Sequence, residues 1–357
     1  MKKIGLCTLA LLAGCASKPA KVDTTPKLPT VVLKAKGTVN GSLLPDFTFD
    51  QIVYTRRDKR NITDDMKFDS WLIDKFAGGK QSVIFRMDKN LRWNLYDDEK
   101  YIECPLDGCS SDLLSRFNFD KKDDDKSIDY DPSDEENQCK MSISANTFTV
   151  KETGKTRVIA GYDTKEYRAK WLVEYKDNKG RKDKNTLDIV FWNTMPTQTM
   201  NDVWKIQEQA TKAYRKATKH SNNPLASLLS DEIFNALSAF SGDTSKENKQ
   251  WTNSVTRKLA KAKGYPISIK ADWYLDRKAC KEQSAKKAKQ SFDWSDPLAS
   301  VKSEAKDFAN EKVTQWFAPD PKESLFQYTY EIQNVAIEPK HDSVFDIPTG
   351  FKLVTRE

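Results

Sequence analysis

Histidine is nearly missing from this 357-residue chain, which holds only His220 and His341. His220 is read near the end of a basic helix and His341 in a polar turn after Pro339, both at the surface. Neither has a partner at a metal-ligand or triad spacing, so no histidine-based metal site or general base is expected. Gly-x-Ser-x-Gly, His-Glu-x-x-His and a glycine-rich phosphate loop are absent too. Carboxylates total 52, so chance pairs occur everywhere and identify no acid-base couple. The expectation is a protein that is not an enzyme, with no metal and no cofactor.

Two further absences narrow the class. Beyond the first fifteen residues no apolar run approaches the roughly twenty residues of a membrane-spanning helix, and mean hydropathy is −0.72. Strong charge bias is missing as well: 59 Lys and Arg against 52 Asp and Glu leave +7 on a chain that is 31% charged. That excludes a dedicated nucleic-acid binder and allows at most loose contact with anionic lipid headgroups.

What is present starts at residue 1. Lys2-Lys3, the apolar run Ile4 to Leu12, and Ala13-Gly14-Cys15 have the order of a secretory signal. Leu12-Ala13-Gly14-Cys15 resembles the lipobox, in which a cysteine is diacylated before cleavage in front of it. Residues 1–14 are therefore expected to be removed and Cys15 to carry lipid. Two or three acyl chains anchor a soluble body firmly, at about 0.8 kcal/mol per buried methylene. Ala16, where Asp is the familiar inner-membrane retention signal, points by analogy to the outer membrane, with the periplasmic face favoured over the surface.

Of six cysteines, Cys7 leaves with the signal and Cys15 is lipidated. Cys104, Cys109, Cys139 and Cys280 remain, an even number in an oxidising compartment, so two disulfides are expected. Three connectivities are open. Pro105 and Gly108 build a turn between Cys104 and Cys109, which favours that pair and leaves Cys139 with Cys280. A four-cysteine zinc site is the rival, and the irregular spacing argues against it.

Residues 15–30 read as a lipidated cysteine and flexible tether, rich in Pro, Lys and Thr. From Val31 the period is two, with strands at 31–35, 47–54, 82–87, 91–96, 100–103, 147–150, 156–159, 167–174 and 187–192. An acidic loop at 118–138 lacks the spacing of a helix-loop-helix calcium site and is read as solvated. A helical insertion covers 203–263, with amphipathic helices at 203–217, 225–240 and 251–259. Strand 267–275, a helix at 297–317, a cleanly alternating strand 325–337 and the closing segments 344–347 and 351–354 complete the chain.

Several pieces then occur in order: Ile84-Phe85-Arg86-Met87-Asp88 with Leu91-Arg92-Trp93-Asn94-Leu95, Tyr101-Ile102-Glu103, and Gly154-Lys155-Thr156 with Ile159-Ala160-Gly161-Tyr162 and Tyr167. Gly264-Tyr265-Pro266-Ile267 and the ending Phe345-Asp346-Ile347-Pro348-Thr349-Gly350-Phe351-Lys352 follow. Over about residues 30–357 they resemble an uncharacterised family of secreted bacterial domains grouped with the LolA-like and LppX-like lipoprotein carriers. The acidic loop, the enlarged helical segment and a Lys/Ala-rich piece before Pro297 depart from that pattern.

The resemblance implies an α+β fold over 31–357: a curved antiparallel half-barrel sheet with helices covering its concave face. It also implies an apolar ligand, a lipid or lipidated chain, held in that concavity. The alternative is a structural or interaction lipoprotein whose helices fill the concavity and which docks an envelope protein. Trp93, Trp171, Trp192 and Trp273 in strands and Trp204, Trp251 and Trp316 in helices suit either lining or core. No ligand-binding residue is assigned.

Overall fold

The computed structural model describes residues 23–41, 45–108, 141–195, 197–218, 249–280 and 320–354. The signal segment with Cys15, the acidic loop, Cys109, Cys139, His220, and the helices expected at 225–240 and 297–317 lie outside these residues.

The described chain is α+β and mostly β. In order it forms β1 (Lys27–Gly41), β2 (Phe47–Arg56), β3 (Lys59–Phe68), α1 (Trp71–Ala77), β4 (Gly79–Arg86), β5 (Leu91–Tyr96) and β6 (Lys100–Pro105). There follow β7 (Met141–Ile159), β8 (Tyr162–Asp177), β9 (Lys182–Thr194), α2 (Gln198–Thr218), α3 (Lys249–Leu259), β10 (Tyr265–Asp276), β11 (Phe326–His341) and β12 (Lys352–Leu353).

All twelve strands form one sheet, ordered β12-β6-β5-β4-β3-β2-β1-β11-β10-β9-β8-β7. The topology is two meanders: β1 to β6 step outward to one edge, and β7 to β11 step back from the other until β11 pairs antiparallel with β1. Short turns join β2 to β3, β4 to β5, β5 to β6, β7 to β8 and β8 to β9, while α1 intervenes between β3 and β4 and long connections separate β9, β10 and β11. The exception is β12, which adds parallel to β6.

Strand alternation puts Val31, Leu33, Ala35 and Val39 of β1 on one face, in register with Val53 and Phe47 of β2. That face continues through Tyr328, Ala271, Ile189, Ala169 and Val150, so it is apolar across β1, β2 and β7–β11. The three helices lie against it. Met200 and Val203 of α2 pack on Leu33, Ile267 and Ile332, Val255 of α3 joins Phe148 and Trp171, and Ile73 of α1 joins the same cluster.

β11 does not alternate cleanly, contrary to expectation. Its buried positions are Phe326, Tyr328 and Ile332 and then Val335, because the register against β1 slips between Lys34 and Ala35 and leaves Gln333 as an extra residue. The bulge restores the apolar face after the parity of the sequence changes. The opposite face of β8–β10 is a field of charge, with Lys170 3.7 Å from Asp188, Lys270 3.2 Å from Asp272 and Lys182 2.7 Å from Glu174.

Two turns carry testable consequences. The β7–β8 hairpin closes through Ala160 and Gly161, with φ of 49° and 82°. Such a pair favours Asn-Gly, and alanine in the left-handed region is strained. Ala160→Asn is expected to stabilise the protein by up to roughly 1 kcal/mol in urea unfolding.

Asp177 ends β8. Its carboxylate accepts from the Lys179 and Arg181 backbone N–H groups at 2.9 and 2.8 Å, the Arg181 side chain at 2.8 Å and the Cys280 N–H at 3.2 Å. Burial opposes the charge, but these donors prevail and hold the carboxyl down at about 2. The stability this supplies is present above the unfolded value near 3.8 and is lost as pH falls through about 2. Asp177→Asn should therefore be less stable than the parent at neutral pH and converge with it near pH 2, in urea midpoints measured across that range.

Candidate functional site

The C-terminal segment forms a strap across the second face of the sheet. Tyr54, Asn61, Ile84 and Trp93 are neighbours on that face of β2–β5. A 3₁₀ turn at Asp342–Phe345 lies over them and puts Phe345, fully buried, against Ile84, Trp93 and Leu95. Val344, Ile347 and Phe351 pack around the same cluster. The strap then reaches the sheet edge, where Lys352 N–H donates to Glu99 O at 2.8 Å and Val354 N–H to Tyr101 O at 2.9 Å. Of the closing segments 344–347 and 351–354, Lys352–Leu353 forms a strand and Asp342–Phe345 a 3₁₀ turn. The apolar side chains here serve face packing, not a backbone ladder.

Charge fixes the strap in place. The Arg56 guanidinium is nearly buried and donates to Thr30 Oγ1 at 2.8 Å, to Lys340 O at 2.7 Å and to Asp342, while lying 4.9 Å over the Phe345 ring. Lys59 Nζ reaches both Asp342 oxygens at 3.0 and 2.9 Å. Arg86 binds Asp88 at 2.9 and 2.7 Å and Asp346 at 2.5 Å. Asn61 Nδ2 donates to Val344 O at 2.6 Å. Despite partial burial, Asp342 is held below the usual carboxylate range by Lys59 and Arg56, and Asp88 by its hydrogen bond from Arg86.

The strap also holds the N-terminal entry of the chain. Asp342 N–H donates to Pro26 O at 3.1 Å, His341 Nδ1 meets Thr25 O at 2.6 Å and lies 3.6 Å from Asp23, and Ser343 Oγ donates to Asp23. The hydrogen bond from Ser343, joined by those from Thr25 Oγ1 at 2.6 Å and Thr25 N–H at 2.9 Å, lowers the Asp23 carboxyl to about 2. His341 is thus the last residue of β11, half-buried and engaged, and not the free surface turn that the sequence suggested.

Beside the strap an open cleft of about 820 Å³ lies between the β2–β3 turn, the β4–β5 turn and the C-terminal half of α2. Arg57, Asp58, Met87, Asp88, Lys212 and Lys216 line it, and Tyr214 of α2 meets Phe85 edge-on at 5.8 Å. Its cations Arg57, Lys212 and Lys216 suit an anionic group, and Met87, Ala213 and Ala217 give it an apolar floor.

In the strap the cations Arg56, Lys59 and Arg86 are engaged with Asp342, Asp88 and Asp346, and Ser343 and His341 both stand beside the Asp23 carboxylate. Among the described residues no group of three His, Cys, Asp or Glu is placed to hold a metal ion.

Of the residues singled out in the sequence, Cys104 sits on β6, buried, and Cys280 follows β10; both are disulfide-bonded. With Cys109 and Cys139 outside the described residues, the pairing stays a proposal. Trp93, Trp171 and Trp273 are buried, while Trp204 is exposed. Arg56, Lys59, Arg86 and Asp342 were not foreseen, because pairs some 283 and 286 residues apart leave no local pattern. The ending Phe345-Asp346-Ile347-Pro348 lies in the strap. No described helix is long and apolar enough to cross a membrane. No protein-family model, curated protein or solved structure matches this chain.

Proposed function

We propose that this chain is a lipid-anchored, non-enzymatic envelope protein that acts through contact with other envelope components, its apolar sheet face serving as core. The burial of that face carries the reading. A side chain lining an empty cavity of several hundred Å³ stays accessible to a water-sized probe, as an acyl-chain carrier requires. Phe191, Phe326, Ile189, Ile267 and Ala271 are at most 2% exposed. The helices α2 and α3 pack directly on the face these residues share.

Anchoring rests on Leu12-Ala13-Gly14-Cys15, and the outer membrane with a periplasmic body on Ala16. A LolA-like half-barrel is the fold we infer, supported by a single antiparallel sheet with its helices on one apolar face. The disulfides we infer are Cys104 with Cys109 and Cys139 with Cys280.

The competing reading, an apolar-ligand carrier, draws on the aromatic row of that face, where Phe49, Tyr328 and Tyr330 lie 6.4 to 6.5 Å apart. Titration of the purified protein with a fluorescent fatty acid separates the two. We expect no saturable binding at micromolar probe; one-to-one saturable binding would overturn the filled-core reading in favour of a carrier.

A further inference from the structure

Antiparallel register determines which turns share an end of the sheet. Val31, Thr55, Arg60, Phe85 and Arg92 stand in one row across β1–β5, and Thr164, Thr194 and Tyr265 in another across β8–β10. The entry into β1, the β2–β3 turn at Arg57–Asp58, the β4–β5 turn, the β7–β8 hairpin and the end of β9 therefore lie at one end. The strap holds Asp23 and Thr25 at this same end.

Large apolar side chains stand exposed there. Leu28 is 45% exposed, Val158 67%, Met195 54% and Trp204 40%. Leu28 opens β1, Val158 sits next to the β7–β8 hairpin, and Met195 follows β9. Trp204, on α2, meets Tyr265 at the start of β10 edge-on at 5.8 Å. Elsewhere among the described residues only Trp71, Ile143 and Leu353 are comparable, and they are scattered.

Cations accompany them. Along α2 the exposed stripe is Trp204, Lys205, Glu208, Lys212 and Lys216, in which Lys212 pairs with Glu208 at 2.7 Å. Lys27, Arg57, Lys205 and Lys216 have no ion partner among the described residues. Most carboxylates at this end are already engaged: Asp23 by Ser343, Asp342 by Arg56 and Lys59, and Asp88 and Asp346 by Arg86. Asp58, Asp107, Asp163 and Asp202 stand against the free cations.

We propose that this end of the domain is a membrane-docking face for a bilayer containing anionic lipid. Leu28, Val158, Met195 and Trp204 enter the headgroup boundary, while Lys27, Arg57, Lys205 and Lys216 meet lipid phosphates. The inference rests on the lipid anchor at Cys15. From Cys15 to Asp23 the chain reaches at most roughly 28 Å, so the face is held close to the bilayer. Docking is then an intramolecular event, at an effective concentration on the order of millimolar. Contacts too weak to recruit a free protein suffice under that constraint. A tryptophan beside lysines on one helix stripe suits the interface, where the indole sits at the headgroup level and the ammonium groups extend into water.

The test uses the mature protein reconstituted in vesicles of phosphatidylcholine and phosphatidylglycerol, three to one, with phosphatidylcholine alone as comparison. Amine labelling read by mass spectrometry follows Lys27, Lys205 and Lys216, with Lys67 and Lys80 at the opposite end of the sheet as references. We expect several-fold slower labelling of the first set on the mixed vesicles only. It should be lost at roughly 1 M salt, where the Debye length is about 3 Å, and weakened by Trp204→Ser with Met195→Ser. Equal labelling of both sets on a protein whose Cys15 peptide is acylated overturns docking and leaves the anchor standing. Equal protection on both vesicle types overturns the anionic-lipid preference. A Cys15 peptide without acyl groups overturns the anchor reading and this inference together.

Discussion

Phe345→Ala is expected to cost about 3–5 kcal/mol in urea unfolding followed by tryptophan fluorescence. The ring is fully buried and packs on Ile84, Trp93 and Leu95, and the Arg56 guanidinium lies over it at 4.9 Å. Truncation leaves a cavity between strap and sheet that neither can collapse to fill, because Lys352 and Val354 hold the strap at the edge and Asp342 holds it at the other end. The loss should come with faster proteolytic clipping after His341, since Val344, Ile347 and Phe351 pack only at the margin of the cluster and Phe345 is its fully buried strap residue. A midpoint near that of the parent would mean that the strap is an accessory layer on a sheet that stands without it.

Arg56→Ala is the second large effect, about 3–5 kcal/mol, the scale for removing one member of a buried ion pair. Three acceptors lose a donor at once: Thr30 Oγ1, Lys340 O and Asp342. Lys59 stays with Asp342 and limits the damage to that carboxylate. Arg56→Lys should recover less than half, because a single ammonium cannot serve three directions or lie flat on the Phe345 ring. Arg56→Ala combined with Phe345→Ala should be less damaging than the sum of the two, with a coupling of about 0.5–3 kcal/mol. Strict additivity would contradict the packing of the guanidinium on the ring.

The parts of this fold written in local pattern were readable, and the parts written in distant pairing were not. Leu91–Tyr96 alternates an apolar set with a polar one and was read with its exact bounds as β5. Val203 to Ala217 has a helical stripe because Met200, Val203 and Ala210 are the positions α2 buries; its first turn, Gln198 onward, carries almost no apolar signal. β3 went unread. Lys59–Phe68 buries only Met66 and Phe68, and its place comes from ladders to both neighbours with Gln51–Asp64 and Thr63–Ser82 bonds across them. β7 runs unbroken through Gly154, where the sequence reading has two strands at 147–150 and 156–159. The Gly154 φ of 80° sits in a register shift between Glu152 and Thr156 that the strand absorbs. β1 begins at Lys27, inside the segment taken for tether, because β11 runs to His341 and offers it a partner.

The strap shows the limit most clearly. Phe345, Ile347 and Phe351 alternate in a way that resembles a strand, yet they face the back of the sheet, and the arginines that fix them belong to β2 and β4. Only the three-dimensional pairing distinguishes a latch from an edge strand. The cleft beside α2 was equally hidden, since it joins Arg57, Met87 and Lys216 from three separate elements.

The most direct test of the account is native mass spectrometry of the protein purified from membranes with its disulfides intact. A filled apolar core predicts a single mass, the polypeptide from Cys15 onward with its N-terminal acyl groups, unchanged after incubation with an uncharged acyl lipid. A stoichiometric second lipid released on activation would contradict the filled apolar core and make the sheet a carrier surface.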